Sequence, residues 1–488
     1  LNKAQVNADP RSVPEGVTPP TSLGPNVPVD QPRRATDLVR LATRSTWSPA
    51  QPEGAARRTL DGGLAYQYTD DIFYFPVGTG VRDIQSHDLT ADLQFERAGA
   101  MLGTRGATSL GASATFGWMD RAYLSNERGT RGRAFADNDV QATTARLYAE
   151  QTLRLAARWT FTAGVQGVLA TRSIDEAFAT PTQRPRYVVP QDTYAAFPSA
   201  ATDFDETYYG LNPTLGLRFE VQPTFSVFGN VGRSFEPPTF NTLLSPRGGS
   251  PNAGPSQFQV QPLDAQRATT VEVGTRRTEG RLQWDVVAYR TWLQDELLTT
   301  SAIFGGSGAT ANAPVRTIHQ GIEAQVTAHL LKGLLASSTD PDRMTLQTTY
   351  NGSDFFFDTD AQNQLAGVPR HWLQGKLMYT HPVGIELGPT LTWMPERTPT
   401  DHANTVYQDA FALWGARVSY QTPASWLQSG RVTVFAEVDN LGDVTYASSY
   451  LVRDRVPDPP PPVLSPAEVT SFIPGQGRSF RIGLTASW

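Results

Sequence analysis

The chain has 488 residues, with 41 Lys+Arg against 47 Asp+Glu and a formal net charge of −6. It is not basic, which excludes a dedicated nucleic-acid binder, and no run approaches ~18 apolar residues, which excludes a transmembrane helix. It has no cysteine, so disulfides, thiolate metal sites and Cys nucleophiles are excluded.

Residues 1–37 are Pro-rich and carry no strand signal; they read as the tail of a long loop. The start has no apolar h-region, so a mature or shortened chain is expected. From residue 38 to the end the hydrophobic period is two. A first strand is predicted near Leu38–Trp47. Trp159, Phe161, Ala163, Val165 and Leu169 then alternate with Thr160, Thr162, Gly164 and Gln166. Leu215, Leu217, Phe219 and Val221 alternate with Gly216, Arg218 and Glu220. Val432, Val434, Ala436 and Val438 alternate with Thr433, Phe435 and Glu437. Side chains alternate faces along a strand, so each segment has one apolar and one largely polar face.

A soluble sandwich shows the same alternation, and connection length decides between them. Long connections are predicted near 69–84, 119–138, 172–204, 235–265, 299–313, 353–367, 396–408 and 448–476. Short ones fall near 154–157, 221–223, 277–281, 382–386 and 421–430, with a medium one at 331–343. Long loops on one rim and tight turns on the other describe an antiparallel up-and-down transmembrane β-barrel with long extracellular loops and short periplasmic turns. Eight long loops imply sixteen flanking strands, and Leu38–Trp47 makes about seventeen. Single-chain bacterial barrels have even numbers, so the chain is expected to begin inside a larger barrel, with 38–488 as barrel. In the last nine residues, Phe480, Ile482, Leu484, Ala486 and Trp488 share one face. A terminal aromatic on the apolar face suits a membrane girdle and resembles the signal read by the outer-membrane assembly machinery.

Four segments carry a family resemblance. They are Gly232-Arg-Ser-Phe-Glu-Pro-Pro-Thr-Phe-Asn241, His319-Gln-Gly-Ile-Glu323, Glu437-Val-Asp-Asn-Leu-Gly-Asp-Val-Thr-Tyr446 and Pro474-Gly-Gln-Gly-Arg478. In this order they resemble the barrel of TonB-dependent outer-membrane receptors, with Thr242 in place of a Glu and Gly442 in place of a Phe. The resemblance implies a 22-stranded, plugged barrel in the outer membrane of a Gram-negative cell. Neither the plug nor a TonB-box is found in this chain, so the plug and first strands are expected elsewhere. The motif residues Arg233, Phe235, Pro237, Asn241, Gly321, Glu323, Asn440, Asp443, Tyr446, Gly475, Arg478 and Trp488 are expected to maintain architecture. Pro237 ends a strand because Pro cannot donate; Gly321 and Gly475 suit bulges or close backbone approach.

The implied activity is uptake of a scarce metal chelate, a ferric siderophore first, driven by the TonB–ExbB–ExbD complex. Capture in that family uses loops rich in aromatics and Arg, which stack on ligands and supply a permanent cation. The matching candidates are Phe73, Tyr74, Arg184, Arg186, Tyr187, Phe355, Phe356, Arg397, His402 and Tyr407. Other expected partners are outer-membrane lipid and lipopolysaccharide. A passive porin and a non-transporting adhesive barrel are the alternatives; a porin would need an inward constriction loop. Haem, cobalamin, copper, quinone-type cofactors and oligosaccharides stay open as substrates. No enzyme is expected. The six histidines have no metal spacing, and there is no nucleophile elbow or P-loop. No resident metal or cofactor is expected.

Overall fold

The computed structural model describes residues 33–487, apart from 51, 53–55, 75–79, 102, 128, 181, 189–192, 199–201, 245–259, 301–308, 337–339, 423–429, 451 and 453–471. Residues 1–32 and Trp488 therefore lie outside the described residues. Within them the wall is one sheet of seventeen strands. In chain order these are β1 (Arg33–Trp47), β2 (Arg57–Tyr74), β3 (Val81–Met101), β4 (Thr104–Glu127), β5 (Thr130–Ala156), β6 (Trp159–Glu176), β7 (Phe204–Gln222), β8 (Phe225–Glu236) and β9 (Gln266–Arg277). They continue as β10 (Leu282–Gln294), β11 (Thr317–Lys332), β12 (Arg343–Phe357), β13 (His371–His381), β14 (Ile385–Met394), β15 (Phe411–Gln421), β16 (Arg431–Asp439) and β17 (Ser479–Ser487). Each pairs antiparallel with the next, giving an unbroken meander.

β1 and β17 are the two edges and do not pair with each other among the described residues. Both run from the long-loop rim to the short-turn rim. They could meet directly only in parallel, and an antiparallel closure takes an odd number of strands between them.

The registers carry the period-two pattern around the wall. Leu169 faces Tyr209, Val165 faces Pro213 and Phe161 faces Leu217. Leu211, Leu215 and Leu217 are 65%, 50% and 41% exposed. The opposite face carries Asn212, Thr214, Gly216 and Arg218, with Asn212 donating to Gln166 at 3.1 Å. An apolar face of this extent is not left against water in a soluble monomer; hydrocarbon covers it.

Aromatics bound that face at two heights. The outer row includes Tyr68, Trp118, Tyr209, Trp292, Trp393 and Trp414; the inner row includes Trp159, Phe219, Trp284 and Tyr420. In the outer row the His87 ring stacks on Trp118 at 5.0 Å and its Nδ1 hydrogen-bonds the Tyr66 hydroxyl at 2.8 Å. In the inner row Trp159 meets Phe219 at 4.6 Å. The ten-residue step from Tyr209 to Phe219 rises about 25 Å at barrel tilt, the thickness of the apolar band. The rows are staggered: Trp414 lies opposite Leu391, two residues inward of Trp393. Such a stagger is what tilted strands require of a level belt.

The inner face is polar and cross-braced. Glu437 pairs with Arg417 and, at 3.2 Å, with Arg481. Arg481 also reaches Asp439 at 2.9 Å.

Three expectations change. Residues 119–138 do not form a long loop: β4 runs through them to Glu127 and β5 begins at Thr130. The strands flanking 69–84 likewise extend to Tyr74 and from Val81. The first strand starts at Arg33, not Leu38. About ten residues cross the band, so the twenty-seven of β5 carry the β4–β5 hairpin well beyond it.

Above the outer aromatic row the inner wall becomes apolar. Tyr123, Phe135, Val140 and Ile174 pack with Leu243, Leu244 and Leu263. The latter three come from the connection after β8, through the four-residue helix α1 (Phe240–Leu243). Arg172 holds that connection by donating from Nε to the Pro238 carbonyl at 3.0 Å, and Arg121 donates to the Phe240 carbonyl at 3.2 Å. The described part of this connection packs on the inner wall above the outer aromatic row.

Candidate functional site

The inner face of β13–β15 and the connection after β16 enclose a recess of about 470 Å³ at the outer mouth. Its wall includes Trp372, Met394, Phe411, Leu413, Tyr446 and Tyr450. Phe411 packs on Tyr446 at 4.8 Å and meets Trp372 edge-on at 6.0 Å. Thr392, Gln408, Ser448 and Ser449 add hydroxyl and amide groups. Burial pushes the Tyr450 phenol up to about 12, so at neutral pH it is an uncharged donor and acceptor. The recess is therefore an aromatic surface with neutral polar edges, suited to stacking on a ring-bearing ligand.

A rigid frame positions these rings. Asn440 is buried with φ +51° and Asp443 has φ +50°. Asn440 donates from Nδ2 to the carbonyls of Val444 (2.9 Å) and Gln476 (3.1 Å), and its Oδ1 accepts from Val444 N at 2.8 Å. Asp443 accepts from Arg478 N at 2.8 Å, and Arg478 Nε donates to the Leu441 carbonyl at 2.9 Å. Gly475 lies under the Tyr446 ring, where a Cβ would overlap it. Gly321 is equally confined, against the Gly352 carbonyl and the Tyr289 hydroxyl.

Two neighbouring connections interlock beside the recess. Gly367 N donates to the Pro399 carbonyl at 2.9 Å, and Ala366 N to His402 Nδ1 at 3.2 Å. Asn404 exchanges bonds with Gln364 at 2.8 Å in both directions. His402 meets Phe357 edge-on at 5.3 Å. Arg397 is exposed and lies over the Tyr407 ring at 4.1 Å. Arg397, His402 and Tyr407 are thus gathered on one connection, and Gln408, next to Tyr407, lines the recess.

The other sequence candidates lie elsewhere. Phe355 stacks on His319 at 4.0 Å on the inner face of β11–β12, while Phe356 is buried. Phe73 sits under Arg82 at 5.8 Å, and buried Tyr74 is covered by Arg33 at 3.6 Å. Arg184 is fully buried: it pairs with Glu176 at 2.6 Å and donates to the Phe135 carbonyl at 2.7 Å. Tyr187 is buried against Tyr194 at 5.6 Å. The Arg186 side chain lies outside the described residues. The Tyr187–Tyr194 contact lies within the hairpin Gln183–Val188/Thr193–Pro198. Arg184 ties that hairpin to β5 and β6. Tyr194 ties it to the β4–β5 wall by donating to Glu127 and accepting from Arg133 N at 2.8 Å. Among the motif residues, Phe235 covers Gly210, Pro237 follows the end of β8 and Asn241 is exposed on α1. Glu323 shares the inner face with Gly321, two residues along β11. Trp372, Phe411 and Tyr450 were not singled out by sequence, because each lies on a different element and no spacing connects them.

The chain matches a family model described as TonB dependent receptor-like, beta-barrel, over residues 4–441. Solved structures share its fold at low identity. The ferric yersiniabactin uptake receptor FyuA from Yersinia pestis is 15% identical, with TM-score 0.59 over 93% of this chain and 61% of that one. The ferric citrate transporter FecA in its unliganded form is 16% identical, with TM-score 0.64 over 93% and 62%. The copper transporter OprC is 14% identical, with TM-score 0.66 over 92% and 64%. The chain thus spans less than two thirds of the length of these three structures. With the family model covering most of its residues and the lipid-facing meander on its own terms, the chain belongs to the TonB-dependent receptor β-barrel family of the Gram-negative outer membrane.

Proposed function

We propose that this chain supplies barrel wall and ligand recess to an active outer-membrane transporter, not an enzyme, that takes up a scarce metal chelate. The observation that carries the reading is the recess walled by Trp372, Phe411, Tyr446 and Tyr450, whose volume of about 470 Å³ suits a small ligand. Arg397, stacked on Tyr407, supplies a permanent cation beside it. A ferric siderophore combines aromatic or carboxylate groups with negative charge and matches this pairing of rings and cation. Names of proteins with the same fold, for ferric yersiniabactin and ferric citrate, support the same class. Energy would come from TonB with ExbB–ExbD acting on a plug, and residues 38–488 would form wall and rim. The outer-membrane assembly machinery and lipopolysaccharide would be its other partners.

The test is uptake of a radio-iron chelate by cells carrying the complete protein. Uptake that stops when the proton gradient is discharged supports the reading. Uptake that continues unchanged points to a passive porin. Binding of a macromolecule with no solute movement points to an adhesive barrel.

A further inference from the structure

The ring-lined recess holds a donor that the protein leaves unused. Tyr450 ends the short strand Ala447–Tyr450, which pairs antiparallel with Phe472–Pro474 and sets Tyr450 opposite Phe472. That ladder holds the ring in the wall of the recess. Two residues on, Val452 lies against the connection after β12: a Cβ added to Gly367 would come within 3.0 Å of its Cγ2. The two connections therefore meet beside Tyr450 and shield its phenol from bulk water. Among the described residues the Tyr450 hydroxyl has no hydrogen-bond partner. Burial alone accounts for the rise of its pKa to about 12; no charge or hydrogen bond contributes.

Other polar groups at the edge are already committed. Gln408 Nε2 donates to the Ala447 carbonyl at 2.9 Å, and Ser448 Oγ to the Ile473 carbonyl at 3.1 Å. A desolvated phenol normally finds a partner, and leaving it without one is unfavourable. A ligand oxygen placed in the recess removes that penalty. No charged side chain lines the recess among the described residues, so an ionised group entering it would lose water without gaining a counter-charge. The part of the ligand that enters is therefore an uncharged ring with an oxygen acceptor beside it. In an aryl chelate the ring oxygens are taken up by the metal. The amide carbonyl that joins the ring to its scaffold is the neutral acceptor left free.

We propose that Tyr450 is a specificity-determining donor of the recess, and that it selects chelates whose aromatic arm carries an amide carbonyl over aliphatic carboxylate chelates. The ring packs among Trp372, Phe411 and Tyr446, and the Tyr450 hydroxyl donates to the carbonyl oxygen. This rests on the reading of the recess as the site of chelate capture.

The experiment is calorimetry on the complete protein with two ferric complexes. One chelator has catechol arms joined to its scaffold through amides; the other has the same arms on all-carbon linkers. The wild type is expected to bind the amide-linked complex about fivefold tighter or more, the size of one hydrogen bond. Tyr450→Phe keeps the ring, and is expected to bind both complexes alike while still migrating as a folded, heat-modifiable barrel. Its affinity for the all-carbon complex should match the wild type. Equal binding of the two complexes by the wild type overturns the proposal, as does a preference that survives in the folded variant. A wild type that binds neither complex but binds ferric citrate overturns this inference and leaves chelate capture standing. A wild type that binds none of the three overturns both.

Discussion

The ring of Tyr446 rests on Gly475, leaving no room for a side chain at that glycine. Tyr446 in turn holds Phe411, so one backbone position on the final connection sets the wall of the recess. Gly475→Ala should push Tyr446 aside at a cost of about 1–3 kcal/mol, the range for overpacking. The expected readout is a barrel that still assembles but binds chelate more weakly. Unchanged affinity with Tyr446 in place would contradict the relationship.

The recess itself can be tested at Trp372. Trp372→Ala removes one of its largest rings while leaving the backbone ladder of β13 intact. Chelate affinity, measured by tryptophan-independent calorimetry, should fall about tenfold or more, as for a buried aromatic anchor. Arg184→Ala should leave affinity much less affected, because Arg184 is buried in an ion pair away from the recess.

The fate of Arg184 concerns the hairpin it clamps. Its guanidinium reaches Glu176 and the Phe135 carbonyl, and Thr202 donates to the same carboxylate at 2.6 Å. Removing one partner of a buried ion pair typically costs about 3–5 kcal/mol. Limited proteolysis should therefore cut Arg184→Ala within the connection between β6 and β7 faster than wild type, while the membrane-embedded strands stay intact. Equal cutting rates would show that the pair does not hold the hairpin.

Most of the wall was legible because lipid on one side and water on the other impose period two along every strand. The pattern failed where that contrast ends. Around 119–138 the inner face is apolar, with Tyr123, Phe135 and Val140 covered by Leu243 and Leu263. Outside the membrane the other face carries polar residues such as Asp120 and Asp137, so the strands read as a loop. The turn at Gly103, with φ +79°, was missed because no long polar stretch marks the reversal between β3 and β4. The recess was not legible at all. Its rings come from β13, β15 and the connection after β16, and only the fold brings them together.

Asp71 predicts an acid response at the β1 edge. Burial alone would raise its pKa, but hydrogen bonds from Arg34, Thr36 and Arg82 outweigh it and hold the carboxyl below its ordinary value. Arg34 and Thr36 lie on β1 and Arg82 on β3, so Asp71 joins three strands. A lowered folded pKa means that the stabilisation is fully present above the usual carboxylate range of about 4 and is lost as pH falls through the folded pKa. A nitroxide at Ala35 should become more mobile as acid is added. Asp71→Asn should be mobile at every pH. A label equally immobile in both proteins across the range would remove Asp71 from this role.

Charge insertion separates the two faces near the C-terminus. Val434 lies opposite Leu484 and Tyr420, and Thr433 opposite Thr485 and Gln421. Val434→Arg on the lipid face, level with Tyr420 of the inner aromatic row, should destabilise the folded barrel by about 1 kcal/mol, and Thr433→Arg on the lumen face should leave it unchanged. Urea unfolding in lipid vesicles gives the comparison, and equal losses would contradict the assignment of faces.

The most direct measurement scans nitroxide labels along β7. The chain has no native cysteine to interfere. Labels at Tyr209, Leu211, Leu215 and Leu217 should collide mainly with oxygen dissolved in the bilayer. Those at Asn212, Thr214, Gly216 and Arg218 should collide mainly with a water-soluble nickel chelate. Alternation between the two sets, residue by residue, is the signature of a wall with hydrocarbon outside and water inside; uniform accessibility along the strand would contradict it.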